Sequence, residues 1–238
     1  MKDLHSHYIY EVDDGAKSVD MAKEMLDVAH ESGVTDIVFT PHYMKDTSYV
    51  SKVSKNKPKF TVLKRYAKTL GINVYLGNEV FINSNLVELL KKKEITTING
   101  SRYLLVEIPL DTMINNVKDI LYDLVTNDIV PILAHPERYL PYYKNIDFFK
   151  ELVELGVLLQ VNVSSLTGGY GKHAQKMVKL LLKNHLVSFI GSDVHRPHHS
   201  NYYDIDYAYK KIKKYAGQED FEKITSINFD KVINNEEI

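Results

Sequence analysis

The sequence predicts an α/β fold: one barrel-like (β/α) domain spanning residues 1–238. Three observations predict it. Short apolar, β-branched runs alternate with longer amphipathic segments along the whole chain, the pattern of parallel βαβ units. No Pro/Gly/Ser-rich linker or break in composition divides the 238 residues. Nearly every apolar run ends on a histidine, a carboxylate or an asparagine, and barrels of this kind assemble their chemistry from the C-terminal ends of strands.

In chain order, the expected strands are 3–5, 36–40, 73–76, 103–107, 130–134, 158–161 and 188–190, and the expected helices are 19–31, 59–70, 84–93, 114–127, 147–155, 172–184 and 203–215. Gly33, Gly71, Gly156 and Asn184 fall where helices should stop. The stretch 45–57 is polar, basic and without helical periodicity, which predicts a surface loop. The polar tail 228–238 is expected to fray.

Composition removes several classes of function. The formal net charge of −1 gives no global field for nucleic acid or anionic membrane. The absence of cysteine excludes disulfides, thiolate zinc sites and a cysteine nucleophile. No leader-like apolar stretch follows Met1 and no run is long enough to span a bilayer, so a cytoplasmic protein is expected.

The residues at the strand ends carry the functional reading. His5 and His7 alternate on an extended segment, so both imidazoles project to one side and can reach one cation. Asp193 and His195 repeat that spacing after the apolar run Phe189-Ile190. Glu79 and Glu107 each end an apolar run, and a carboxylate at that depth needs a cation or hydrogen-bond donors to offset desolvation. His42 and His135 stand at the ends of two further strands. His, Asp and Glu without sulfur suit Mn, Fe, Zn or Co rather than a structural zinc finger. Arg138, close behind His135, has the planar donor fork that fits a phosphate; pairing with Glu137 is the alternative. Asp13-Asp14-Gly15 is a turn signature that can lean one aspartate over the same rim. His30, His173 and His185 fall beside helices and are read as packing or surface residues. His198 and His199 follow Pro197 in a polar loop near the rim, within reach of a substrate, and are not expected to be ligands.

Taken in order, Asp3-Leu4-His5-Ser6-His7, Asp13-Asp14-Gly15, Thr40-Pro41-His42, Gly77-Asn78-Glu79, Ala134-His135-Pro136-Glu137-Arg138-Tyr139 and Gly191-Ser192-Asp193-Val194-His195 resemble the motifs of the polymerase-and-histidinol-phosphatase (PHP) superfamily. The resemblance runs from residue 3 to about residue 215. The central Ala-His-Pro-Glu-Arg-Tyr, Gln160-Val161-Asn162, Ser165-Leu166-Thr167-Gly168 and Tyr170-Gly171 look like its bacterial tyrosine-phosphatase branch, linked to capsule and exopolysaccharide synthesis. In one departure, Tyr8-Ile9-Tyr10-Glu11 stands where many members carry Leu-Pro-Gly.

This resemblance implies a distorted (β/α)7 barrel holding three divalent ions, with Mn first in line and Fe, Zn, Co or Mg as alternatives. By motif, His5, His7, Glu79 and Asp193 would hold one ion. Glu79 would bridge to a second, completed by Glu107 and His135, and Asp14, His42 and His195 would hold the third. The implied reaction is hydrolysis of a phosphomonoester by a metal-bridging hydroxide, with Arg138 stabilising charge and Asp14 or a bound water supplying the proton. The implied substrate is a phosphotyrosine protein, a bacterial tyrosine autokinase of polysaccharide export, with no nucleic-acid partner and no membrane insertion; a homo-oligomer stays open. A PHP-type histidinol-phosphate phosphatase, a nuclease or nucleotide phosphoesterase of the same superfamily and a metal-holding binding module are the alternatives.

Overall fold

The structure, a computed structural model, describes residues 1–199 and 201–238. Its strands are all parallel. β1 (Lys2–Asp3), β2 (Asp36–Phe39) and β4 (Asn73–Leu76) pair in that order, and β3 (His42–Tyr43), β5 (Glu79–Phe81), β6 (Tyr103–Glu107), β7 (Val130–Ala134), β8 (Leu158–Asn162) and β9 (Phe189–Gly191) form a second run. β3 continues β2 beyond Pro41, which has no N–H for a ladder, and β5 continues β4 beyond Gly77-Asn78. The two runs therefore make seven staves.

The ring closes between the last stave and the first. Ser6 bridges Val194 in parallel, the Asp193 amide donates to the His5 carbonyl at 2.8 Å and the His7 amide to that of Val194 at 3.0 Å. β6 pairs with β5 but not with β4. In that gap sits the 3-10 turn Ile98–Gly100, in contact with β4 and β6. This opening on the side away from the site is the distortion of the barrel.

Side-chain alternation explains what points inward. Tyr103 and Leu105 face the barrel interior with Leu4, Val38, Ile132 and Phe189, and Glu107 follows in the same phase. Leu104 and Val106 face out against the helices. Gln160 and Asn162 continue the inward phase of Leu158, a partly buried member of the interior cluster.

The outer helices are α1 (Val19–Glu31), α2 (Val53–Thr69), α3 (Leu86–Lys91), α4 (Val117–Thr126), α5 (Ile146–Glu154), α6 (Val163–Thr167), α7 (Gly171–Lys183), α8 (Ile205–Ala216), α9 (Gln218–Glu222) and α10 (Asn228–Asn234). Two expectations need correction. α2 starts at Val53, inside the stretch read as a loop: its buried stripe is Val53, Asn56, Leu63 and Ala67, and the polar Asn56 breaks the apolar period. Residues 228–234 are not frayed. They form α10, whose Phe229 and Val232 are buried in the barrel interior beside Ile98. Phe229, Val232 and Ile233, crowded into one short stretch of a polar tail, gave too weak a period to be seen. Among the described residues no helix is long and apolar enough to cross a membrane.

Candidate metal centre and phosphate pocket

All nine residues read as ligands meet at the C-terminal rim. His5 Nε2 and His7 Nε2 lie 3.2 Å apart. Glu79 is fully buried at the centre: its Oε2 is 3.0 Å from His5 Nε2, 3.0 Å from His42 Nδ1 and 3.3 Å from His7 Nε2, while Oε1 is 3.1 Å from His135 Nε2. Asp193 Oδ1 faces His5, His7 and His195 at 3.5–3.6 Å. Glu107 lies 3.6 Å from His135 Nε2 and 3.9 Å from His42 Nδ1. Asp14 Oδ1 is 3.3 Å from His195 Nε2 and 3.6 Å from His42 Nε2.

The donor set fits divalent cations. Four groupings have ligand atoms mutually within 4.8 Å: His7, Asp14, His42 and His195; His5, His7 and Asp193; His5, Glu79 and His135; His42, Glu79 and Glu107. Despite these close nitrogens, the buried Glu79 Oε2 accepts no hydrogen bond, and neither does Asp14 Oδ1. Buried carboxylate oxygens are ordinarily hydrogen-bonded, so lone pairs aimed at one another and at orphaned oxygens describe a chelate. His135 (φ 33°) and Asp193 (φ 53°) both occupy the left-handed region, a strain that non-glycine residues keep where the surroundings over-determine them.

Residues outside the predicted set aim these ligands. Asp13 Oδ2 holds His7 Nδ1 at 2.9 Å and accepts from the His42 amide at 2.9 Å, and Gln160 Oε1 holds His5 Nδ1 at 2.8 Å. Fixing one ring nitrogen in this way presents the other to a cation. Asp3 is buried under the floor, accepting from the Ser192 amide at 2.8 Å and from the Tyr202 hydroxyl at 2.5 Å. Glu137 accepts from the Asn162 amide at 2.9 Å, so it orders the loop rather than pairing with Arg138. Arg196, which the sequence reading passed over, donates to the Asp14 and Gly15 carbonyls. An arginine directly after the Asp193-x-His195 pair was the available signal.

Glycine is required at position 15 by close approach: a Cβ there would lie 2.3 Å from the His7 carbonyl oxygen and 2.6 Å from His7 Cβ. Gly15→Ala is therefore expected to destabilise the fold by about 2–3 kcal/mol, read as a lower urea midpoint, and to weaken metal binding by displacing His7 and Asp13. A wild-type midpoint would refute that account.

The cluster's electrostatics set a proton inventory. Burial opposes ionisation of Glu79, but His5 and His42 outweigh it and hold the carboxyl well below the usual range. Burial, then the charge of Glu79, pushes Glu107 up to about 8. Burial pulls His42 down, yet Glu79 prevails and raises it to about 9. Burial lowers His135 to about 4, despite the opposing pull of Glu79. Burial opposes a charge on His7 too, but Asp13, Asp193 and Glu79 raise it well above its ordinary value, so at neutral pH the metal-free cluster carries protons on His7, His42 and Glu107 that a cation must displace. Metal affinity is expected to rise with pH up to about 9, by about tenfold per pH unit for each proton released. Calorimetry in buffers of different ionisation enthalpy measures the protons released; finding none would overturn the inventory.

Above the cluster opens a cavity of about 860 Å³, lined by Met44, Tyr49, Leu110, Arg138, Tyr170, Arg196 and His198 as well as ligand residues. The Asp14 side chain is 45% exposed, so the mouth is open to solvent. Arg138 donates to Asp193 Oδ2 at 2.9 Å, and its guanidinium lies 4.3 Å from the Tyr170 ring centroid. His195 holds the Asp14 carboxyl well below the usual range, so it is ionised. The side chain of His199 lies outside the described residues.

Residues 1–234 match the family described as capsular polysaccharide synthesis, CpsB/CapC. The chain belongs to the CpsB/CapC family. Within it, CapC of Staphylococcus aureus is 40% identical over 197 residues, covering 82% of this chain and 77% of CapC. The tyrosine-protein phosphatase CpsB of Streptococcus pneumoniae is 31% identical over 229 residues, 90% of this chain and 94% of CpsB. A crystal structure from work on YwqE of Bacillus subtilis and CpsB of Streptococcus pneumoniae, described as metal-dependent tyrosine phosphatases, superposes with a TM-score of 0.87 at 26% identity, over 100% of this chain and 96% of that one. The histidinol phosphate phosphatase of Lactococcus lactis shares the fold at a TM-score of 0.60 and 15% identity. The CpsB/CapC chain thus has the parallel α/β barrel its motifs implied.

Proposed function

We propose that this chain is a metal-dependent protein-tyrosine phosphatase. The observation that carries the reading is the convergence of nine imidazole and carboxylate side chains beneath an open cavity with Arg138 at its rim. The identity to CpsB of Streptococcus pneumoniae supports it.

His5, His7, Glu79 and Asp193 would hold one divalent ion, Glu79, Glu107 and His135 a second, and Asp14, His42 and His195 a third, with His7 beside the last group as well. Manganese is the first choice, before Fe, Zn, Co or Mg. Such ions supply Lewis acidity towards phosphoryl oxygens and make water nucleophilic near neutral pH. Arg138 binds the phosphate through the guanidinium donors that Asp193 leaves free, and Asp193 and Tyr170 hold the fork in place. Asp14, ionised at the rim, accepts a hydrogen bond from water or substrate instead of donating a proton. A phenol leaves with a conjugate-acid pKa of about 10, so solvent at the open mouth can protonate it. A cavity this open admits a tyrosine still attached to its polypeptide. The reading extends to a tyrosine autokinase of polysaccharide export as substrate, and to a cytoplasmic location.

Phosphate release from a phosphotyrosine peptide and from L-histidinol phosphate, each with Mn²⁺ and with EDTA, tests it. EDTA-sensitive turnover favouring the peptide is expected. Turnover favouring histidinol phosphate would move the chain to that chemistry, and no turnover of either by metal-loaded protein would refute the phosphatase reading.

A further inference from the structure

From 47 to 78 the chain carries six lysines and one arginine and no aspartate or glutamate, against a net charge of −1 for the whole. Most of this charge lies on α2. Lys52 pairs with Glu94 at 3.0 Å, and Lys59 with Glu11 at 3.2 Å. Lys55, Lys57, Lys64, Arg65 and Lys68 are exposed, and among the described residues none of them forms an ion pair. Lys57, Thr61, Lys64 and Lys68 recur at helical spacing and so share one face, about 16 Å long at the helical rise. The first turn of α2 contains no acid. Lysines there sit on the positive end of the helix dipole, an arrangement that costs stability.

The start of this helix is fastened to the site. Asn56 Nδ2 donates to the Ser51 carbonyl at 3.0 Å, Ser51 Oγ donates to the His42 carbonyl, and Asn78 Nδ2 reaches the Ser51 carbonyl at 3.2 Å. The hairpin closed by Tyr43 and Val50 places Met44 and Tyr49 in the cavity wall and leads directly into α2. A polypeptide whose phosphotyrosine reaches the floor can therefore lay its flanking residues along the basic face.

We infer that the exposed basic face of α2 is a docking track for anionic residues flanking the phosphotyrosine, so that the chain selects segments rich in Asp, Glu or further phosphates. The inference rests on the phosphotyrosine reading above. Charge complementarity and continuity with the cavity wall identify a polypeptide as the occupant. Among the described residues the only large apolar side chain exposed on α2 is Val62, too little for a helix that inserts into lipid.

The test compares kcat/KM for an acid-flanked phosphotyrosine peptide, a neutral-flanked one and a small aryl phosphate, using wild type and the triple variant Lys57→Glu, Lys64→Glu, Lys68→Glu. Wild type is expected to favour the acid-flanked peptide by about tenfold at low salt. The preference should vanish in about 1 M salt, where the screening length is about 3 Å. The variant should lose the preference while its aryl phosphate turnover and metal content stay at wild-type values. Glutamine at the same three positions should give an intermediate result. A preference that survives charge reversal would overturn the docking track. So would a variant that loses only its binding to vesicles of anionic lipid, which would assign the face to a membrane. Wild type that turns over no aryl phosphate would instead bring down the phosphatase reading itself.

Discussion

Glu79→Gln is expected to lower kcat on a phosphotyrosine peptide by about 10³-fold or more, equivalent to about 4 kcal/mol of barrier, and to lower the metal bound per chain. The substitution keeps the side chain's volume, so it opens no cavity. It changes what four imidazoles face. In the wild type Oε1 meets His135, and Oε2 meets His5, His7 and His42, all within 3.3 Å. A carboxamide replaces one acceptor oxygen with a two-proton donor, which compels an imidazole nitrogen to accept from it instead of binding a cation. It also removes the negative charge that holds His42 up at about 9 and, together with burial, Glu107 at about 8. Glu107 and His42 should then titrate lower, and His135, which Glu79 holds up against burial, lower still. Elemental analysis alongside kcat separates loss of metal from loss of chemistry, and circular dichroism checks the fold. Full metal content with wild-type kcat would show that Glu79 is not the hub of the cluster.

The candidate ligands other than Asp14 were legible because they stand at or just beyond the ends of apolar runs and all the runs are parallel: once the strands alternate with helices, their C-terminal ends must share a rim. Glu107 is the clearest instance, since its inward phase follows from Tyr103 and Leu105. The residues that aim the ligands were less visible. Asp13 reads as half of a turn signature, and only the folded chain brings its carboxylate to His7 and to the His42 amide. Arg196 reaches the Asp14 carbonyl across 182 positions, a contact no local pattern encodes. The sequence reading missed the N-terminal half of α2 because a lysine-rich exposed face and a buried asparagine dilute the helical period. α10 eluded it because two apolar side chains suffice to plug the bottom of a barrel already lined by others. The identity of the metal stays outside any such reading, since imidazole and carboxylate donors serve several divalent ions.

Arg138→Lys is expected to reduce kcat/KM by about 10²-fold while leaving metal content unchanged, the loss typical of removing one donor to developing charge. The two oxygens of Asp193 have different work. Oδ1 faces His5, His7 and His195 at 3.5–3.6 Å, on the side of the cluster. Oδ2 accepts from Arg138 at 2.9 Å, Asn162 Nδ2 at 2.8 Å and the Tyr170 hydroxyl at 3.2 Å. This anchors the guanidinium on one edge, and the Tyr170 ring supports its face. The opposite edge is left for a planar, two-point contact with phosphate. An ammonium keeps the charge but loses both the fork and the stacking, so lysine cannot stand in for it. Tyr170→Phe retains the ring and should stay within about fivefold of wild type, because the hydrogen bond it loses is worth about 1 kcal/mol. The lysine variant should also bind the product phosphate more weakly, which inhibition by inorganic phosphate measures directly. If Arg138→Lys instead lost metal and kept its phosphate affinity, the arginine would be acting through Asp193 on the cluster, and the phosphate would have to be held by Arg196, which also lines the cavity.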